Sequence, residues 1–535
     1  MPLRFATPAP ERVDTSLTIA RLLDASLHGD ADQTIGYRDV VRHDYRELRR
    51  RIGRLASALS ELGVVQGTTV AILDWDSHRY LEHYFAVPMM GAVLQTANIR
   101  LSPEQMRYTI AHAGAQIVVV HADFWPLFEK MRDELPDVRA VIAICDDQRL
   151  LPEWAVGEYE DLLAAADPEH EFIDFDENAT ATTFYTSGTT GLPKQVCFSH
   201  RQLVLHTLAL GSALGGRRGV GMRSGDVYMP LTPMFHVHAW GMPYLATMLG
   251  LRQIYPGRYD VDMILRLRAL ENVTFSHGVP TILQMVLTAA AAQGQRLDGW
   301  QMMVGGSALT RELAAAARQT GMIVAAGYGM SETGPVISLG EDSDDPWFAI
   351  KAGKPIPLVS MRIVDGDMRP LAADDIATGE LVLRAPWLTP CYPGDDDASR
   401  ELWRGGWLHT QDIATIDPAG VVQIRDRLKD IIKTGGEWIA SLTLEELIVQ
   451  HPDVVEVAVV GIPDPKWQER PVAVVVPVPG AAPTREMLNS FLTRWVESGT
   501  INRFALLDRV ISVAALPRTS VGKIDKKAIR SDLAS

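Results

Sequence analysis

An apolar strand running straight into a loop of glycines and hydroxyls that ends in Pro-Lys constrains this chain more than any other stretch. Ala181-Thr182-Thr183-Phe184-Tyr185 has the composition of a buried strand, and Thr186-Ser187-Gly188-Thr189-Thr190-Gly191-Leu192-Pro193-Lys194 follows directly. Glycines let backbone N–H groups turn inward and approach an anion closely. The hydroxyls add donors, and Lys194 adds a mobile positive charge. Such a loop suits a polyphosphate. It is not the common phosphate loop, because Gly-x-x-x-x-Gly-Lys-Ser/Thr is absent and Pro193 separates Leu192 from Lys194. A flexible linker would need neither the strand before it nor the Pro-Lys ending.

Apolar strands alternate with amphipathic helices on both sides of this loop. Leu48, Ile52, Leu55, Leu59 and Leu62 recur at helical spacing over 46–63. Val70–Leu73, Ile117–Val120 and Ala140–Ile144 read as all-apolar strands, with a helix over 80–90 and another opened by the capping box Ser102-Pro103-Glu104-Gln105. After the loop, helices are expected over 200–212, 262–270 and 310–319, and strands at Val273–Phe275, Met302–Val304 and Met322–Ala325. Continuous apolar strands alternating with helices mean a largely parallel α/β sheet covered on both faces. Ligands of such sheets bind beyond the carboxyl ends of the strands. The turns after Tyr185, Phe275, Val304 and Ala325 are therefore expected to share one site. Beyond about residue 380 the character changes to strands broken by Gly, Pro and Asp, and the charged run Asp426-Arg427-Leu428-Lys429-Asp430 marks a junction. The expected domains are 1–428, carrying a β subdomain, and a small mobile α+β domain over 429–535.

Bulk numbers exclude several classes of function. A chain of 535 residues is too long for one core. Its net charge of −15 argues against nucleic acid or an anionic membrane as the main partner. Cys145, Cys197 and Cys391 form no metal or disulfide framework, which fits a reducing cytoplasm, and no run approaches a membrane span. Met1–Ala6 lacks a signal-peptide core, so a cytoplasmic location is expected.

Further motifs carry chemistry. In Gly327-Tyr328-Gly329-Met330-Ser331-Glu332-Thr333 the Tyr328 ring suits a purine and Glu332 suits a hard cation. Asp412, in Gly406-Trp407-Leu408-His409-Thr410-Gln411-Asp412, has the carboxylate that usually pairs vicinal ribose hydroxyls, with Arg427 fifteen residues on. Leu516-Pro517-Arg518-Thr519-Ser520-Val521-Gly522-Lys523 ends in a lysine, and Lys433-Thr434-Gly435-Gly436-Glu437-Trp438-Ile439 follows the junction.

Taken in order, these motifs make the chain resemble the adenylate-forming superfamily, and within it the fatty acyl-CoA ligases, including a branch acting on methylthiopropionate. The resemblance implies that Thr186, Ser187, Gly188, Thr189, Thr190, Gly191 and Lys194 hold the phosphates of ATP. It implies that Gly327, Tyr328, Gly329, Met330 and Ser331 hold adenine, with Tyr328 stacked on it. Glu332 and Thr186 would hold Mg²⁺, Asp412 and Arg427 the ribose, and Lys523 would be the catalytic lysine. The stretch Pro233-Met234-Phe235-His236-Val237-His238-Ala239-Trp240-Gly241 matches the acid-binding motif, so His236 would sit at the carboxylate and Trp240 would gate an apolar tunnel lined by Gly305, Gly306 and His277. Amino-acid-activating relatives carry Asp where His236 stands, so amino acids are unfavoured substrates. Gly435, Gly436, Glu437 and Trp438 would swing in to line the coenzyme A tunnel, with Lys429 as hinge.

The chain also departs from the pattern. Gln195 and Gln411 stand where glycine is usual, and His238 and His277 are two extra imidazoles expected near the pocket wall. The implied activity is an ATP-dependent acyl-CoA ligase acting on a short, medium or long hydrophobic acid, with ATP, Mg²⁺ and coenzyme A as cofactor and co-substrates and with room for a homodimer. Alternatives are an aryl-acid (benzoate or cinnamate) ligase, a methylthiopropionate ligase, an enzyme loading a carrier protein, or a binding homologue without turnover.

Overall fold

The structure, a computed structural model, describes residues 3–186, 192–217, 219–341, 349–434, 437–519 and 523–534. Two large sheets form the body. One has seven strands in the order 157–158, 140–144, 115–121, 69–73, 93–96, 180–186 and 194–199. Its pairs are parallel except the last, where Thr180–Thr186 and Lys194–Ser199 run antiparallel. The other has nine strands in the order 354–355, 338–339, 323–328, 301–304, 275–278, 227–231, 252–255, 34–37 and 41–44, with a parallel centre. A four-stranded antiparallel sheet, Ser360–Val364, Gly379–Arg384, Leu408–Ile416 and Val422–Arg427, makes the expected β subdomain.

Local chemistry sets these elements. Helix Tyr45–Glu61 is capped by Asp44, which accepts from the Glu47 N–H, and it buries the predicted Leu48, Ile52, Leu55 and Leu59. Both halves of the Ser102–Gln105 capping box form. Every residue of strands Thr69–Leu73 and Ala140–Ile144 is buried, as continuous apolar runs between two helical layers require. The strand expected at Val273–Phe275 is a correction: it spans Phe275–Gly278, so Ser276 and His277 belong to the sheet. Those two polar residues hide the strand from a hydrophobicity pattern, and the sheet tolerates them because Ser276 accepts from the Trp300 indole and His277 bonds the Tyr228 hydroxyl.

Residues from Ile432 onward have their own buried clusters, built on strands Val454–Asp464 and Gln468–Pro477 and helices Ser441–Ile448 and Arg485–Glu497. The three large clusters draw on residues 19–422. Across the junction Asp426 accepts from the Ser441 hydroxyl at 2.6 Å, while within the C-terminal part Lys526 pairs Glu445 at 2.7 Å and Arg530 pairs Asp430 at 2.6 Å. Among the described residues no helix is long and apolar enough to cross a membrane.

Candidate active site

The carboxyl ends of strands Phe275–Gly278, Gln301–Val304 and Ile323–Tyr328 converge beside the β subdomain. Tyr328 closes its strand and donates its hydroxyl to Asp412 Oδ2 at 2.6 Å. Asp412 and Arg427 are cross-strand partners, and Arg427 Nε lies 3.8 Å from Asp412 Oδ1. Burial raises the Asp412 pKa, and Arg427 and the Tyr328 hydroxyl oppose that rise. The bond from Tyr328 to Asp412 joins the adenine motif to the ribose motif.

Gln411 shows what its departure from glycine costs. Its φ is +57°, left-handed backbone that a side chain disfavours by about 1–2 kcal/mol. The turn is held regardless, because the Gln411 N–H donates to Glu380 and its carbonyl accepts from the Leu428 N–H. Gln411→Gly should therefore stabilise the protein by about 0.5–1 kcal/mol, read as a raised midpoint in urea unfolding. An unchanged or lowered midpoint would mean the turn is relaxed with glutamine.

Lys523 comes from the C-terminal region yet reaches the same place. Its Cε lies 3.7 Å from where a Cβ on Gly306 would stand. The ammonium pKa is lowered to about 8, chiefly by burial and then by the Arg427 charge, against the pull of the Asp412 and Glu332 carboxylates. Lys523 thus sits in the field of both carboxylates that the sequence assigned to the nucleotide.

Glu332 is buried, and burial raises its pKa; the Tyr392 hydroxyl, donating at 2.7 Å, is the largest influence in the other direction. Lys194 lies over the Tyr392 ring, 4.7 Å from its centroid, with its Nζ 3.9 Å from Asp395. Tyr392 therefore connects the strand after the phosphate loop to Glu332. Its sequence context, Pro390-Cys391-Tyr392-Pro393-Gly394, carries no signal beyond a turn, so its role is visible only in the fold. Thr186 and Lys194 face each other as strand partners at the mouth of the loop. Gln195 stays in register opposite Tyr185 and donates its amide to Thr183, so the strand holds without glycine there. The expected phosphate residues Ser187, Gly188, Thr189, Thr190 and Gly191 lie outside the described residues.

On the acid side, Trp240 packs 5.1 Å from His277, and its ring closes on Gly305 and Gly306, where a Cβ would come within 3.1 Å and 3.8 Å of it. His277 stacks on Tyr228 and shares a 2.8 Å hydrogen bond with its hydroxyl. Burial pushes the His277 pKa down to about 3, so the imidazole is neutral. His236 is half-buried; desolvation, with the charges of Lys523 and Arg100, pushes its pKa down to about 3. The expectation for His238 is corrected. Its ring packs edge-on against Phe184 and Tyr84, with Phe198 and Tyr244 also close, in the aromatic core behind the pocket.

The same segment runs against the local preference of its residues. Val237, His238, Ala239 and Trp240 all have φ between +45° and +59°, and Gly241 follows at +75°, which makes one left-handed turn. Each such non-glycine residue costs on the order of 1–2 kcal/mol, so the surroundings must impose the turn.

Met330 and Ser331 open the short turn that carries Glu332; the Met330 N–H donates to Thr333 Oγ1 at 3.0 Å. Gly327 packs on Met303, and Gly329 passes against the Pro335 carbonyl. Trp438 is 58% exposed with Lys433 over its ring, and Glu437 accepts from Asn502. Gly435 and Gly436 lie outside the described residues. Lys429 is exposed in the turn after strand Val422–Arg427.

Residues 23–393 match the model of AMP-binding enzymes, and residues 443–523 that of the AMP-binding enzyme C-terminal domain. A long-chain-fatty-acid–CoA ligase from Thermus thermophilus is 42% identical over 504 residues, covering 92% of this chain and 90% of that protein. A 3-methylmercaptopropionyl-CoA ligase from Ruegeria lacuscaerulensis is 36% identical over 534 residues, covering 96% and 97%. Among solved structures, ATP-bound MatB from Rhodopseudomonas palustris aligns with a TM-score of 0.84 at 26% identity, over 97% of this chain and 99% of that one.

Proposed function

The chain belongs to the AMP-binding enzyme family and is an AMP-forming acid–CoA ligase, and from that premise we propose that it activates a hydrophobic monocarboxylic acid through the residues gathered around Lys523. The observation that carries this reading is the placement of Lys523, from the far end of the chain, beside Gly306 and within the field of Asp412 and Glu332.

In the first half-reaction a carboxylate oxygen attacks the α-phosphorus of ATP, an acyl-AMP forms, and pyrophosphate leaves. Anion meets anion in that step. A lysine bridging the two orients them and neutralises charge as the bond forms. Asp412 takes the ribose hydroxyls with Arg427 beside it, Tyr328 stacks on adenine, and Lys194, with the loop from Thr186 to Gly191, takes the phosphates. Glu332 and Thr186 are the proposed oxygen ligands for Mg²⁺, which would shield the phosphate charge. They fit a hard cation, since among the described residues the buried Glu332 carboxylate has only the neutral Tyr392 hydroxyl as side-chain hydrogen-bond partner. His236, neutral at working pH, can donate one N–H to the acid's carboxylate without adding a buried charge.

In the second half-reaction the thiolate of coenzyme A attacks the acyl carbon and AMP leaves, so the protein need supply no nucleophile. The division at 428/429 then acts as a hinge: rotation about Lys429 withdraws Lys523 and brings Gly435, Gly436, Glu437 and Trp438 to the pantetheine arm. The exposed Trp438 is consistent with a structure caught in the first of the two arrangements. Trp240 and His277 bound the acyl site, which favours short to medium aliphatic chains.

The test is thioester formation followed by mass spectrometry, with MgATP, coenzyme A and acids from propionate to palmitate, methylthiopropionate, benzoate and cinnamate. Aliphatic thioesters are expected, and His277→Ala should move the preferred length upward by several carbons. Acyl-AMP without thioester would replace coenzyme A by a carrier protein as acceptor, and thioesters of the aromatic acids alone would make this an aryl-acid ligase.

A further inference from the structure

The segment that carries His236 and Trp240 is strained, so something must hold its entry. Three side chains from the seven-stranded sheet's side of the molecule do so. The buried carboxylate of Asp76 accepts the Met234 N–H at 2.8 Å. The Tyr84 hydroxyl donates to the Met234 carbonyl, and Thr96 Oγ1 donates to the Phe235 carbonyl at 3.0 Å. Asp76 does more than the other two. Its second oxygen accepts the Tyr259 hydroxyl at 2.7 Å, and its backbone carbonyl accepts the Gly257 N–H at 2.9 Å. One residue, three positions past strand Thr69–Leu73, therefore binds the acid loop and the segment after strand Arg252–Tyr255 together.

A buried carboxylate is expensive to keep. Asp76 is 4% exposed, and burial pushes its carboxyl up to about 7; the Met234 and Tyr259 hydrogen bonds and the distant charge of Arg100 offset only part of that cost. No ion pair within 4 Å is recorded for it among the described residues. Replacing it by an apolar side chain would leave the buried Met234 N–H and the Tyr259 hydroxyl without their acceptor. Here the two acceptor atoms meet donors on two separate segments, and one donor is the backbone immediately before the left-handed turn.

We propose that Asp76 is a positioning residue for the acid substrate: it fixes the Pro233–His236 loop so that His236 and, through the left-handed turn, Trp240 stand at the acyl site. Asp76 touches neither the acid nor ATP. It acts through the Met234 backbone, with Tyr259 holding its other oxygen. Loosening it frees the loop to relax out of left-handed backbone and so disperses the groups around the carboxylate, while the nucleotide side keeps its own anchors at Asp412, Tyr328 and Tyr392.

This proposal rests on the assignment of that loop to the acid, so the experiment separates the two. Acid-dependent ATP–pyrophosphate exchange is measured on full-length wild type, Asp76→Ala, Asp76→Asn and Tyr259→Phe, with the thermal midpoint of each. Asp76→Ala is expected to raise the KM for the acid at least tenfold while the KM for ATP stays within twofold. Asp76→Asn is expected to recover most of the difference, since its amide oxygen can accept from Met234 and its NH₂ can donate to the Tyr259 oxygen. Tyr259→Phe keeps the Met234 bond and should give a smaller rise. Equal shifts in both KM values, a wild-type acid KM in folded Asp76→Ala, or an asparagine variant as impaired as alanine would overturn the positioning role. If Asp76→Ala does not fold, the asparagine and phenylalanine variants decide it by the same split. A wild-type protein that shows no exchange with any acid would instead overturn the proposed activity.

Discussion

Lys523→Ala should slow acyl-AMP formation by roughly 10²–10³-fold, the usual cost of removing one preorganised charge from a reacting centre. Conversion of supplied acyl-AMP and coenzyme A to thioester should stay within a few-fold of wild type, because the proposed rotation withdraws this side chain before the thiolate attacks. ATP–pyrophosphate exchange and single-turnover thioester formation measure the two halves separately. The wild type carries a second signature. With a pKa near 8, Lys523 loses its proton as pH rises through that value, so kcat/KM for adenylation should fall on an alkaline limb centred there. The direction follows from the chemistry: the cation is the active form, burial and Arg427 favour its neutral form, and folding therefore brings deprotonation within reach of mildly basic solution. The residual activity of Lys523→Ala should lack that limb. A variant equally slow in both halves would mean Lys523 holds the domains together, and a limb that survives would belong to another group.

Much of this site was legible in the sequence because its chemistry is local. Asp412 and Arg427 face each other through the register of adjacent strands, and Tyr328 and Glu332 ride one strand-to-turn segment. All-apolar strands such as Ala140–Ile144 announce a buried parallel sheet for the same reason: their pattern is written in consecutive residues. What escaped depends on residues far apart in the chain. Tyr392 matters because its hydroxyl meets Glu332, 60 residues away, and Asp76 because its carboxylate meets Met234, 158 residues away. No periodicity or motif encodes either distance. The left-handed turn at Val237–Trp240 ran against local preference, since valine and tryptophan avoid positive φ, and only the packing around it could impose that conformation. His238 illustrates the opposite error. A polar residue within a pocket motif invites a pocket role, yet in a turn of this hand its side chain goes into the aromatic core.

Gly329→Ala should be the most damaging single methyl that can be added at a described glycine of the nucleotide side. Gly329 does not have left-handed backbone, so glycine is required here by space alone. A Cβ would stand 1.1 Å from the Pro335 carbonyl oxygen and 2.3 Å from its carbon, both backbone atoms. A flexible side chain could yield; this backbone is tied on every side. Thr333 Oγ1 bonds the Pro335 carbonyl at 3.0 Å and accepts the Met330 N–H at 3.0 Å, and the Ile337 N–H donates to the Tyr328 carbonyl at 2.9 Å. To admit the methyl, the turn must break these bonds and move Glu332 and Tyr328 apart. Overpacking of a tight site costs typically about 1–3 kcal/mol, and a clash with fixed backbone belongs at or above the top of that range. The expected result is a stability loss of about 3 kcal/mol or more in urea unfolding, with ATP–pyrophosphate exchange falling beyond what the folded fraction accounts for. Gly327→Ala is the matched control. There the nearest atoms belong to the Met303 side chain at 3.0 Å, and methionine can move aside, so a much smaller loss is expected. Equal losses for the two variants would show that the Gly329–Pro335 approach does not set the shape of this turn.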